Sequence, residues 1–157
     1  MTGRTYRLIE GWSLVEDRYA PEEETSRATV FALANGYVGL RGAGEELPAN
    51  VLGAKGCYVG GVYDTPNGKL TEREMVAFPD WTAVRCWVDG ERLDLATGEI
   101  LEYCRMLDMR RAIVKRKIRW KSPSGKRVLI VSERFVSRED VHLGVLRYKV
   151  EAEDPCE

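Results

Sequence analysis

Residues Ile113-Val114-Lys115-Arg116-Lys117-Ile118-Arg119-Trp120-Lys121 decide the fold class. Successive side chains of an extended chain point to opposite faces. Lys115, Lys117, Arg119 and Lys121 therefore line one side of a strand. Val114, Ile118 and Trp120 line the other, with Arg116 as its charged exception. One face reads as a solvated basic ladder and the other as core.

The same character extends to both sides. Ile100–Leu107 precedes the segment, and Arg127–Val136 and Val141–Val150 follow it. Further β-branched and aromatic runs are Thr29–Leu33, Tyr37–Arg41, Cys57–Tyr63, Thr82–Val88 and Arg92–Leu95. Turn chemistry separates them. Asn35-Gly36 and Asp89-Gly90 suit type I′ hairpins, whose central residues need positive φ. Thr97-Gly98, Ser122-Pro123-Ser124-Gly125 and Ser137-Arg138-Glu139-Asp140 are further breaks, and Pro66-Asn67-Gly68-Lys69 reads as an exposed loop tip. Pro21–Ala28 is the only helix-compatible stretch, and it is too short to stand without packing. Many short strands at close spacing predict an all-β protein, an antiparallel β-sandwich forming a single domain over residues 1–157. A strong strand, Val141–Val150, ends close to the last residue, which leaves an edge and suggests a truncated sandwich.

Length and composition agree with this. A 157-residue chain with 44% hydrophobic and 31% charged residues can bury a true core and is no disordered polymer. No apolar run reaches the roughly 18 residues of a membrane span, and the N-terminus lacks a secretory apolar region. Cys57, Cys86, Cys104 and Cys156 are scattered and only one His is present. No metal site is expected; four free thiols and a cytoplasmic location are.

The net charge of -1 hides an uneven distribution. Residues 1–104 hold 10 basic and 17 acidic side chains, residues 105–127 hold 10 and 1, and residues 128–157 hold 4 and 7. The central block reads as a sheet face whose charges pair with acidic neighbouring strands. A nucleic-acid surface would interleave aromatics with the charges on one face, whereas Trp120 faces away from them. No nucleic-acid partner is expected.

Asn35-Gly36-Tyr37-Val38-Gly39-Leu40-Arg41-Gly42-Ala43-Gly44-Glu45-Glu46 is the most distinctive stretch. It fits neither a dinucleotide fingerprint nor a phosphate loop. Its glycines admit positive φ or close approach of a second backbone or a ligand, so a bulged hairpin and a contact loop both remain open. Glu45 and Glu46, adjacent in an extended chain, would point to opposite faces and could not flank one glycosidic bond. They are expected to balance Arg41 or other basic groups. His142 lies within a strand pattern and reads as structural. Tyr58, Tyr63 and Trp81 are candidates for stacking on a sugar, with core burial as the alternative.

Leu8-Ile9-Glu10-Gly11-Trp12 and the block Thr25–Glu46, with Asn35-Gly36-Tyr37-x-Gly39-x-Arg41-Gly42 at its centre, resemble the opening of glycoside hydrolase family 65 proteins. Those include maltose, trehalose and kojibiose phosphorylases. The resemblance continues through Gly56–Tyr63, Phe78-Pro79-Asp80-Trp81, Val88-Asp89-Gly90, Leu107-Asp108-Met109-Arg110, Glu133–Ser137 and His142-Leu143. The Arg111-Ala112 and Gly60-Gly61 pairs depart from the pattern. The resemblance implies a supersandwich-like N-terminal domain, with an (α/α)6 catalytic barrel elsewhere in the same parent chain. It implies no catalytic residue in this chain and no cofactor, with inorganic phosphate as co-substrate of the parent if that is a phosphorylase. The implied partners are the barrel, an α-glucoside substrate of the parent and further copies in a homo-oligomer, with no membrane. Asn35, Gly36, Tyr37, Arg41, Gly42, Glu45 and Glu46 are then candidates for an interdomain or substrate-proximal loop. The alternative is a freestanding carbohydrate-binding β module.

Overall fold

The computed structural model describes residues 6–46, 55–65 and 73–156. Three antiparallel sheets make up an all-β sandwich. The large one runs β1 (Tyr6–Ile9), β2 (Ser13–Glu16), β9 (Glu99–Asp108), β10 (Ile113–Lys121), β11 (Arg127–Val136) and β12 (Gly144–Ala152), in that spatial order. A second contains β3 (Leu33–Ala34), β4 (Val38–Leu40), β5 (Cys57–Asp64) and β6 (Glu74–Phe78). A small ribbon pairs β7 (Trp87–Val88) with β8 (Glu91–Arg92). A 3₁₀ turn, Pro21–Glu23, leads into one short helix, α1 (Glu24–Val30). Among the described residues no helix is long and apolar enough to cross a membrane. The proposed tip Pro66–Lys69 lies outside the described residues.

The alternation of β10 holds. Val114, Arg116, Ile118 and Trp120 are buried. The opposite side carries the pairs Lys115–Glu133, Lys117–Glu102, Arg119–Glu153 and Lys121–Glu99 at 2.7–3.0 Å. The basic ladder is therefore answered by acidic side chains of β9, β11 and the segment after β12, as cross-strand pairing favours.

The inner face of the large sheet carries two apolar clusters. One gathers Val88, Leu93, Leu95, Tyr103, Ile118, Trp120, Val128 and Ile130 under the β7–β8 ribbon. The other gathers Phe31, Leu33, Leu107, Val114 and Val136 under α1 and β3. Between them run Arg105, Arg116, Ser132 and Arg134, all buried; Arg105 faces Arg116 in register, and Arg116 faces Ser132.

Several boundaries differ from the sequence expectation. Thr29 and Val30 belong to α1, because Ala28 and Phe31 bury one face of this turn of helix against the sandwich. Only Trp87–Val88 of Thr82–Val88 forms a strand, while β1, β2 and β6 form in addition to the expected runs. Asp89 and Gly90 both take positive φ, as a type I′ turn requires. At Asn35-Gly36 only Gly36 does, so this turn is of another kind. His142 is not in a strand. The Asp140 carboxylate accepts from the His142 amide (3.0 Å) and the Ser137 hydroxyl from the Asp140 amide (3.1 Å), which lengthens the turn until β12 starts at Gly144.

Candidate functional site

The glycine-rich segment leaves β4 and dives inward. A Cβ on Gly42 would lie 2.4 Å from the carbonyl carbon of Phe31, so only glycine lets this backbone touch α1. The Gly42 amide donates to the Ala28 carbonyl (2.6 Å) and the Gly44 amide to Glu24 Oε1 (3.1 Å). Glu45 and Glu46 follow, each about 1% exposed.

Both carboxylates reach one cation, contrary to the expectation of opposite faces, because a turn replaces extended backbone at Glu45-Glu46. Arg116 pairs with Glu45 through Nη1 and with Glu46 through Nη2 (2.8 Å). Glu45 also accepts from Ser132 and Arg134, both at 3.1 Å, and Glu46 accepts from the Tyr148 hydroxyl at 2.8 Å. Alongside, Arg105 donates to Glu16 (2.8 Å), to both oxygens of Glu24 (2.9 and 3.1 Å) and to the Gly42 carbonyl (2.9 Å). Arg27 pairs with Glu16 at 3.3 Å. Of the basic partners expected for the glutamates, Arg116 and Arg134 take the role, while Arg41 donates to the Thr25 carbonyl (2.6 Å).

Burial dominates the proton affinities here. It raises the Glu46 carboxyl against the opposing hydrogen bond from Tyr148, and raises Glu16 against the pull of Arg105. Burial, reinforced by Arg134, lowers Arg116 to about 10; burial and then Arg105 lower Arg134 to about 10. Four arginines and four glutamates, Arg27, Arg105, Arg116 and Arg134 against Glu16, Glu24, Glu45 and Glu46, balance this seam, with the carboxylates withdrawn from any solvent-borne substrate.

The outer half of the motif behaves differently. Asn35 Oδ1 accepts from the amides of Tyr37 (3.0 Å) and Val38 (2.7 Å), and its Nδ2 donates to the carbonyls of Ser137 (2.6 Å) and Val141 (3.0 Å). One side chain thus ties the β3–β4 turn to the β11–β12 turn. Tyr37 and His142 then meet edge to face, 4.6 Å between ring centres. They open onto a shallow apolar groove of about 400 Å³ shared with Cys57, Phe78 and Trp81. Trp81 packs over the start of β12, where a Cβ on Gly144 would lie 2.5 Å from its Cζ2. It remains 37% exposed.

The predicted residues therefore divide into two groups. Gly42, Glu45 and Glu46 are inside the domain, so any contact this segment makes with another body rests on Gly36, Tyr37 and Arg41. Trp81 shares its groove with neither Tyr58 nor Tyr63, so the three aromatics form no common platform. Arg105, Arg134, Glu16 and Glu24 were not singled out from sequence. The signal was available for the arginines: Arg105 and Arg134 occupy core-facing positions of alternating strands, as Arg116 does. All four cysteines are unpaired; Cys57 is buried, and Cys86, Cys104 and Cys156 are half-buried.

Comparison with known proteins places this geometry. Residues 14–156 match the model of the glycosyl hydrolase family 65 N-terminal domain. A kojibiose phosphorylase of Halothermothrix orenii is 34% identical over 149 residues, covering 92% of this chain and 19% of that protein. An alpha,alpha-trehalose phosphorylase of Thermoanaerobacter brockii is 33% identical over 166 residues, covering 96% and 21%. A solved structure described as a putative kojibiose phosphorylase from human microbiome superposes with a TM-score of 0.80 at 21% identity, over 96% of this chain and 21% of that one. The chain spans about a fifth of the length of these relatives. It belongs to glycosyl hydrolase family 65, as the N-terminal domain of that family.

Proposed function

We infer that this chain is the non-catalytic β-sandwich module of a larger disaccharide phosphorylase or hydrolase acting on an α-glucoside. The module supports a catalytic barrel in the same parent chain and the assembly of its copies. Inorganic phosphate is the co-substrate if the parent is a phosphorylase, and its setting is the cytoplasm. One observation carries the non-catalytic reading: Glu45 and Glu46, the carboxylates nearest the family motif, are sealed against Arg116, Arg134 and Tyr148. A general acid must reach the glycosidic oxygen, and a carboxylate locked between guanidiniums in the interior cannot. The separation of Trp81 from Tyr58 and Tyr63 speaks against the carbohydrate-binding alternative.

The test is turnover by the purified chain on maltose, trehalose and kojibiose, with and without phosphate. None is expected. Activity that survives repurification and is lost in Glu45→Gln or Glu46→Gln would overturn the reading.

A further inference from the structure

We propose that the outer part of the β5–β6 ribbon is an arm, which buries Val62, Tyr63 and Met75 in an apolar, cation-rimmed cleft of the catalytic body of the parent chain. The proposal rests on the parent-chain reading above and adds to it the contact element and the chemistry of its seat.

The ribbon changes character along its length. Near its base, Cys57 is buried and pairs with Phe78 and Leu40. At Gly60 the strand passes the β3–β4 turn, its amide donating to the Tyr37 carbonyl at 2.7 Å. From there to Asp64 every residue of β5 is exposed, and Glu74 and Met75 opposite are exposed too. Val62 and Tyr63 are consecutive, so they point to opposite faces, yet they are 37% and 54% exposed. A strand with one dry face would alternate. A two-stranded ribbon wet on both faces is marginal in water, and one that carries apolar side chains on both is built to be covered on both. A cleft does this; a flat surface does not.

The arm is also re-aimed at its root. Four residues of β5, Val59–Val62, stand against the single residue Val76 of β6, and Gly61 takes φ +83° with open space around it. Such a bulge turns a ribbon away from its parent sheet. It carries the arm past the β3–β4 turn, which Asn35 ties to the end of the large sheet where Leu143 is exposed and where Trp12 and Met109 occupy neighbouring hairpin turns. The opposite end of that sheet is closed by Lys121–Glu99, Lys126–Asp89 and Arg127–Asp154. Exposed apolar side chains thus stand both on the arm and at one end of the domain.

Charge specifies the rim of the seat. Asp64 and Glu74 are direct cross-strand partners, a repulsive pairing that lysine or arginine from a partner relieves. The occupant follows from size. The relatives matched here are about five times as long as this chain, which leaves a body large enough to hold such a cleft.

The experiment is hydroxyl-radical footprinting of the full-length parent. Tyr63 and Met75 should be modified at least about tenfold more slowly than in an unstructured peptide of the same sequence, at concentrations where light scattering shows a monomer as well as above them. Modification at the peptide rate overturns the proposal and leaves the parent-chain reading standing. Protection that appears only where the parent self-associates also overturns it and assigns the arm to a second copy. A gene whose reading frame supplies no further body overturns the parent-chain reading itself.

Discussion

Arg116 is a single guanidinium shared by two carboxylates in the buried interior. Such a pair is weak evidence of stability when compared with a well-packed apolar replacement of the whole cluster, because both charges have lost their hydration. Removing the cation alone is another matter. It strands Glu45 with only Ser132 and Arg134 as donors, and Glu46 with only Tyr148. Arg116→Met should therefore destabilise the domain by about 3–5 kcal/mol in urea unfolding. A loss below about 1 kcal/mol would mean that water already reaches these carboxylates.

At the scale of elements, two glycines test what the chain's close approaches are for. Gly42→Ala drives a methyl group into the Phe31 backbone, so α1 must move, and a loss of about 1–3 kcal/mol is expected. Gly144→Ala meets only the rim of the Trp81 ring. The indole can swing toward solvent, so stability should change by less than about 1 kcal/mol while tryptophan emission shifts to the red. The reverse ranking would show that Trp81, and not α1, anchors the sandwich. The same elements show how far sequence reading reaches. In β10 alternation over nine residues, broken only by the charge of Arg116, fixes strand and faces, because period two has no other reading at that length. At Thr29-Val30 the β-branched pair argues for strand and is overruled by the burial of Phe31, a tertiary effect that local composition does not carry. The motif at 35–46 is visible as a motif, but whether its glycines serve an outer contact or an inner one depends on α1, which lies before it in sequence. That Glu45 and Glu46 balance basic groups was legible, but their facing was not, for the same reason: an extended chain separates neighbours, a turn gathers them.

For the whole molecule the buried seam sets the response to pH. Glu46 binds its proton more tightly in the fold than in the unfolded chain, since burial raises its carboxyl above 4.5. The folded state then holds more protons, and the slope of stability with pH is negative over that window. Wild type should lose stability relative to Glu46→Gln as pH rises from about 4.5 through the raised value, and parallel urea titrations between pH 4.5 and 8 will read it. A relative gain over that range would show that Arg116 and Tyr148 outweigh burial. Exposed carboxylates act oppositely: Glu133, held low first by its hydrogen bond with Lys115, favours the fold above its unfolded value and loses that as pH falls.

The strand order of the large sheet has a kinetic consequence. Strands β9 to β12 are neighbours in sequence and in space, whereas β2 must find β9 with Glu16 and Arg105 lying 89 residues apart. Closing a loop of that length costs about 4 kcal/mol of chain entropy before any contact repays it. The local meander assembles cheaply, and the N-terminal hairpin joins only after everything between them has been gathered. Until it does, Arg105 lacks Glu16 and keeps its hydration, so the seam that is driest in the finished domain is among the last parts of it to lose water.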